Sequence, residues 1–208
     1  ADTIEPGGTQ RIINRVSALG CTYVIYSTRK HEGAAPRLRI IVPLDRECGS
    51  EEYEAIARKL AEFIDINIFD PTTFEPVRLM YWPSCSKDSE FVFFYEDKPF
   101  LSKDGMLGLY GNWQNIEEWP QVPGAVKLRE RSAKKQGDPL SKSGIVGAFC
   151  KNYSIEEAMT EFIPGTYEPA GNDRYTFTGG STVGGAVVYD DKFIYSHHAT
   201  DPCSGKLC

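Results

Sequence analysis

The chain has 208 residues, 41% hydrophobic, 25% charged and 12% aromatic, the balance of a protein that buries a real core and not of a disordered chain. No run approaches the roughly 18 consecutive apolar residues of a membrane span, and no basic start leads into an apolar stretch like that of a signal peptide, so a cytoplasmic location without membrane partners is the expectation. A net charge of −6 excludes a surface that grips nucleic acid by bulk charge alone.

Thr9 to Leu19 places Ile12, Ile13, Val16 and Leu19 on one face at helical spacing, and Gly20 supplies the stop. Thr22-Tyr-Val-Ile-Tyr-Ser27 and Arg37-Leu-Arg-Ile-Ile-Val42 are β-branched or aromatic runs, the second bounded by Pro36 and Pro43; both predict strands. Ser50, Glu51 and Glu52 open a helix whose stripe is Tyr53, Ile56, Ala57, Leu60, Phe63 and Ile64. Strands are expected at Arg78-Leu-Met-Tyr-Trp82 and Phe91-Val-Phe-Phe-Tyr95. This order of elements predicts an α+β fold with helices on one face of a sheet.

Charge divides the chain unevenly. Residues 1–118 carry 13 basic and 19 acidic side chains, 119–143 carry 6 and 2, and 144–208 carry 4 and 8. Segment 119–143 holds Pro120, Pro123 and Pro139 with no sustained apolar period, which predicts a basic linker, either a solvated tether or a stretch organised by a partner such as nucleic acid. The block 144–208 opens on apolar Ile145-Val-Gly-Ala-Phe149. Ser154-Ile-Glu-Glu157 then has the spacing in which hydroxyl and carboxylate cap each other's backbone donors, predicting a helix to about Phe162. Short strands follow at 174–177, 184–189 and 193–195, so this block reads as a small β-rich module. The six cysteines are widely scattered, and most are expected to be reduced core thiols.

Polar residues at strand ends are the candidates for chemistry, because a sheet fixes what it presents there. His31 lies just past the first strand among Arg29, Lys30, Arg37 and Arg39, a set of donors suited to a triphosphate; a solvated charged turn is the plain alternative. Arg37 and Arg39 alternate along a strand and project to one face. Asp70 precedes Pro71-Thr-Thr, where an aspartate caps its own backbone, but Asp2 offers a second carboxylate, and divalent cations in phosphoryl transfer take carboxylates plus substrate phosphates. Arg78 is a further candidate. His197, His198, Cys203 and Cys208 fall within twelve positions, but adjacent histidines on a strand point to opposite faces and four residues separate the cysteines, so a polar loop is expected over a zinc site.

Ala1-Asp2, Tyr26-Ser-Thr-Arg-Lys-His31, Pro36-Arg-Leu-Arg-Ile-Ile-Val-Pro-Leu-Asp-Arg46 and Phe69-Asp-Pro-Thr-Thr-Phe-Glu-Pro-Val-Arg-Leu-Met-Tyr-Trp-Pro83 resemble the core of archaeo-eukaryotic-type primase-polymerases, in particular phage or prophage DNA primases associated with virulence-associated protein E. Gly144-Ile-Val-Gly-Ala-Phe-Cys-Lys-Asn-Tyr-Ser154 and Tyr195-Ser-His-His-Ala-Thr-Asp-Pro202 are similar to segments next to that core. The resemblance implies an RRM-like sheet with packed helices in a catalytic core over 1–118, followed by the linker and the small module. It implies metal-dependent nucleotidyl transfer that makes primers on single-stranded DNA, with Mg²⁺ or Mn²⁺ and nucleoside triphosphates, and a helicase region elsewhere in the full-length chain. Asp2 and Asp70 would hold metal, Asp2 as the second acidic residue of an Asp-x-Asp motif. Ser27 and His31 would form the nucleotide motif, with Arg29, Arg37, Arg39 and Arg78 around the phosphates. The first aspartate of that motif would fall before Ala1, so the resemblance implies a fragment truncated at both ends. The competing readings are a non-catalytic nucleotide- or nucleic-acid-binding module and a phage assembly domain with no nucleotide role.

Overall fold

The computed structural model describes residues 1–125 and 133–208; part of the basic segment expected as a linker lies outside them. Two compact units divide the chain, Ala1–Tyr110 with Pro120–Pro123, and Gly111–Trp119 with Gly124–Cys208. Each mixes helices with an antiparallel sheet. No described helix is long and apolar enough to cross a membrane.

In the first unit, α1 (Thr9–Ser17) buries Ile12, Ile13 and Val16, the face its 3.6-residue period dictates. Gly20 takes φ +71°, a left-handed conformation open to glycine without a Cβ penalty, and the helix stops just before it. Strand β1 (Tyr23–Ser27) is central, with β2 (Leu38–Ile41) on one side and β3 (Phe93–Glu96) on the other, both antiparallel. The register pairs Tyr26 with Arg39 and with Phe93. Because side chains alternate along a strand, Tyr23, Ile25 and Leu38 face the helices, where they form one core with α1, Ile64 and Ile68. Val24, Tyr26, Arg39, Ile41, Phe93 and Tyr95 lie on the opposite face.

Helix α2 (Ser50–Ile64) is capped one residue earlier than expected, by Gly49, whose N–H donates to Glu52 at 2.7 Å. Inside it, Arg58 donates to Glu54 through Nε (3.0 Å) and Nη2 (2.7 Å), and through Nη1 to the Pro120 carbonyl (3.2 Å). This buried pair is fully engaged, which offsets the desolvation of its charges. Burial pushes the Glu54 carboxyl up against the opposing pull of Arg58. Asp65, just past α2, accepts from Arg15 (3.0 Å), Arg11 (3.4 Å) and Asn67 N–H (3.2 Å), so it ties α1 to the end of α2. A short helix α3 (Lys103–Leu107) completes the unit.

The stretch Arg78–Trp82 is irregular and is not a strand. Pro76 and Pro83 bracket it, and a proline has no N–H to give to a ladder. Its large side chains stand in solvent, Trp82 at 91% exposure. Tyr26 Oη donates to the Tyr81 carbonyl at 3.0 Å, a side-chain bond and not a ladder bond.

The second unit contains α4 (Gly144–Asn152), α5 (Ile155–Phe162) and a four-stranded sheet ordered β4 (Tyr167–Gly171), β5 (Arg174–Phe177), β6 (Ala186–Tyr189), β7 (Phe193–Ser196). The expected capping box is present: Glu157 N–H donates to Ser154 Oγ at 3.1 Å and Ser154 N–H to the Glu157 carboxylate at 2.8 Å. Met159, Ala186 and Ile194 form the core. Asn172 and Asp173 both take positive φ, 51° and 57°, the geometry of a two-residue hairpin between β4 and β5. Strand β4 carries Pro169 and Gly171, which hid it from a propensity reading.

All six cysteines are free, but only Cys21 is buried; Cys48, Cys150 and Cys203 are half-buried, and Cys85 and Cys208 are exposed. The expectation that most are core thiols is therefore corrected.

Ile25 is fully buried at the centre of the sheet, so Ile25→Ala is expected to destabilise the first unit by about 2–5 kcal/mol, read from the urea unfolding midpoint. Burial acts to raise the Asp65 carboxyl, but Asn67 and Arg15 outweigh it and hold it below its ordinary 3.8. Its contribution to stability is then full above the unfolded value and lost as pH falls through the lower folded one. Thermal melts across pH should therefore show Asp65→Asn less stable than the parent above about pH 4, with the two curves converging in more acidic buffer.

Candidate functional site

The first residues of the chain run along the β2 edge of the first unit. Ala1 runs beside the start of β2, its nitrogen donating to the Leu38 carbonyl at 3.0 Å and its carbonyl accepting from Leu38 N–H at 2.9 Å. Asp2 N–H then donates to the Ile68 carbonyl at 3.0 Å, which brings the Asp2 backbone alongside the chain that leads into Asp70. Asp2 and Asp70 are 68 positions apart in the chain. Both carboxylates are exposed.

Asp70 also serves its own turn. Its Oδ1 accepts from Thr72 N–H at 2.8 Å and from the Thr72 hydroxyl, capping the short 3₁₀ turn Pro71–Phe74. Burial acts to raise this carboxyl, but Thr72, Arg78 and the Ala1 amine outweigh it and hold it below the usual carboxylate range. Arg78 is therefore close enough to Asp70 to act on it, even though its segment is not a strand.

His31 is 2% exposed and sits at the end of a turn in which its N–H donates to the Thr28 carbonyl at 2.9 Å. Arg37 N–H donates to His31 Nδ1 at 3.0 Å. With Nδ1 accepting, the neutral ring carries its proton on Nε2, the nitrogen left to donate. Ser27 is fully buried, and its Oγ accepts from Val92 N–H at 2.9 Å; its hydroxyl joins β1 to the approach of β3. Ser27 is packed inside the sheet while His31 closes the turn that leads to β2. Arg29 and Arg78 are exposed, and Arg37 and Arg39 are half-buried. None of these four guanidinium groups has a salt-bridge partner among the described residues. Unpaired arginines around a histidine donor favour an anionic ligand.

Among the described residues, no group of three or more His, Cys, Asp or Glu side chains is arranged to hold a metal ion. Asp2 and Asp70 supply two carboxylates, the number Mg²⁺ commonly takes from protein when substrate phosphates and water complete its shell. In the second unit, His198 is buried, accepting from Phe177 N–H at Nε2 (3.1 Å) and meeting Thr182 Oγ1 at Nδ1 (2.6 Å). His197, which like His198 lies past the end of β7, instead packs edge-on against Tyr195.

Sequence reasoning missed the face on which Arg39 stands. Phe91, Phe93 and Tyr95 line it in a row, with ring centroids 6.5 and 6.0 Å apart. Their alternation was visible, but which side the helices cover was not.

No curated protein and no solved structure shows a significant match to the chain. The family described as VapE N-terminal domain matches residues 5–122, more than half of the 208 residues and nearly all of the first unit. The chain therefore belongs to the VapE N-terminal domain family, a phage-associated group linked to replication.

Proposed function

We propose that the first unit is the nucleotide-binding, primase-type part of a phage replication protein, which transfers nucleotides from triphosphates onto a primer on single-stranded DNA and works beside a helicase region in the full-length chain. The observation that carries this reading is the backbone pairing of Ala1 with Leu38 and of Asp2 with Ile68, which sets Asp2 beside the segment that leads into Asp70, together with His31 held by Arg37, the residue before Leu38. A three-stranded antiparallel sheet with helices on one face supports a primase-polymerase core of the RRM-like kind.

The chain's own residues divide the work by chemistry. Arg37 and Arg39, projecting together from one face of β2, hold phosphate oxygens, and Arg29 and Arg78 close the cluster from the flanking loops. His31 Nε2–H donates to the same anion, its ring fixed because Nδ1 is already occupied. Asp2 and the free Oδ2 of Asp70 would hold a divalent ion, Mg²⁺ or Mn²⁺. Such an ion supplies charge neutralisation on the triphosphate and a more acidic 3′-hydroxyl. The Asp70 carboxyl, held low, is ionised throughout the neutral range and ready for such a cation.

A second reading, a binding module without catalysis, is favoured by one observation: Asp70 Oδ1 is committed to Thr72, so the two aspartates offer few free oxygens. Substitutions separate the roles. His31→Ala is expected to weaken affinity for a non-hydrolysable nucleoside triphosphate by about tenfold or more, the loss of one charge-assisted hydrogen bond, measured by isothermal titration calorimetry. Unchanged affinity would remove His31 from the site. Asp70→Asn keeps size and loses charge, so Mn²⁺ binding followed by electron paramagnetic resonance should weaken; Mn²⁺ affinity equal to the parent's would leave Asp70 a turn residue and favour the module without catalysis.

A further inference from the structure

We infer that the helix-free face of the first unit's sheet is a stacking platform for single-stranded DNA, with Phe91, Phe93 and Tyr95 as its base-contacting rings. The inference rests on the nucleic-acid reading above and assigns the place where the strand lies.

Tyr23, Ile25 and Leu38 face the helices and fill the core, so residues one position away take the other face, where Tyr26 is buried and donates to the Tyr81 carbonyl while the rings on β3 stay exposed. Those residues are Val24 and Tyr26 on β1, Arg39 and Ile41 on β2, and Phe93 and Tyr95 on β3, with Phe91 continuing the row. Aromatic side chains ordinarily leave water, yet here Phe91, Phe93 and Tyr95 are 46%, 50% and 66% exposed. Phe91 and Phe93 are nearly parallel, with 11° between their planes, so adjacent rings present similar faces.

Charge selects the occupant. No strand position on this face carries a carboxylate. Arg39 stands directly across β1 from Phe93, through the Arg39–Tyr26–Phe93 register, and has no ion-pair partner among the described residues. Arg37 lies on the same side of its strand. A row of exposed rings flanked by unpaired arginines matches what a single strand offers, bases with π faces on one side and phosphates on the other. A neutral apolar protein partner would leave Arg39 desolvated and unpaired, which is costly. The row runs along β3, and β1 separates it from the β2 edge beside which Ala1 and Asp2 run.

The test uses fluorescence anisotropy with a labelled oligothymidylate of about 12 nucleotides, within the span that single-strand platforms cover. A strand of equal length and charge lacking bases is the comparison. The expectation is that the intact strand binds the full chain, that the abasic strand binds at least about tenfold more weakly, and that the double substitution F93A/Y95A weakens the intact strand by a similar factor. The substitution F93W/Y95F, which keeps rings at both positions, should restore binding, and a thermal melt of F93A/Y95A should stay near the parent's because both side chains are largely exposed. No binding of the intact strand, equal binding of intact and abasic strands, or no effect of F93A/Y95A would overturn the platform. So would self-association that F93A/Y95A abolishes in sedimentation while oligonucleotide binding stays unchanged, which would make a second copy the occupant. Triphosphate affinity, measured in parallel, distinguishes the two proposals: F93A/Y95A should leave it intact, and if the parent binds the oligonucleotide but no triphosphate, the platform stands and the nucleotide site fails.

Discussion

Strand β1 is the constraint from which the rest of the first unit follows. As the middle strand of three, it is hydrogen-bonded on both edges, so its side chains can differ only in which face they take. Tyr23, Ile25 and Ser27 go to the helices, and Ser27 binds Val92 N–H to align the approach to β3. Tyr26, on the other face, pairs across to Arg39 and Phe93. One strand's alternation therefore sets the core, the position of the arginine and the position of the aromatic row. A register shift of one residue would exchange all three.

The second dependency is long-range. Asp2 is set beside the segment that leads into Asp70 because its N–H and the Ile68 carbonyl are bonded, and because Ala1 pairs in both directions with Leu38. The carboxylates are thus placed by backbone bonds to a packed sheet and a buried Ile68, while the carboxylates themselves remain exposed. That arrangement, fixed backbone with solvated heads, suits residues that exchange water for a ligand. Arg37 contributes twice, through its N–H to His31 and through its own unpaired guanidinium.

The elements readable in the sequence were those whose signal is local. The stripe of α2, the Gly20 stop of α1, the Ser154–Glu157 box and the β-branched runs of β1 and β2 all require only neighbouring residues, and each stands in the structure. Arg78–Trp82 looked the same as a strand because aromatic and aliphatic composition reports a tendency to be buried and not the presence of a pairing edge. Strand β4 was hidden for the converse reason: Pro169 and Gly171 lower its propensity, but pairing with β5 holds it. Of the site, the bond from Arg37 N–H to His31 lay within reach of the sequence, because the two residues are close in the chain. The bond between Asp2 N–H and the Ile68 carbonyl was not, since no local pattern encodes a contact between positions so far apart, and only the family resemblance joined Asp2 with Asp70. The aromatic row required knowing which face the helices cover.

The central claim is that this corner takes a metal-bound triphosphate. The most direct measurement is a crystal of the chain soaked with Mn²⁺ and a non-hydrolysable nucleoside triphosphate, with the anomalous signal locating the metal. The account predicts Mn²⁺ within coordination distance of the Asp70 and Asp2 carboxylates, with the phosphates beside His31, Arg37 and Arg39. Metal and nucleotide bound elsewhere, or a corner left empty at saturating concentrations of both, would contradict it.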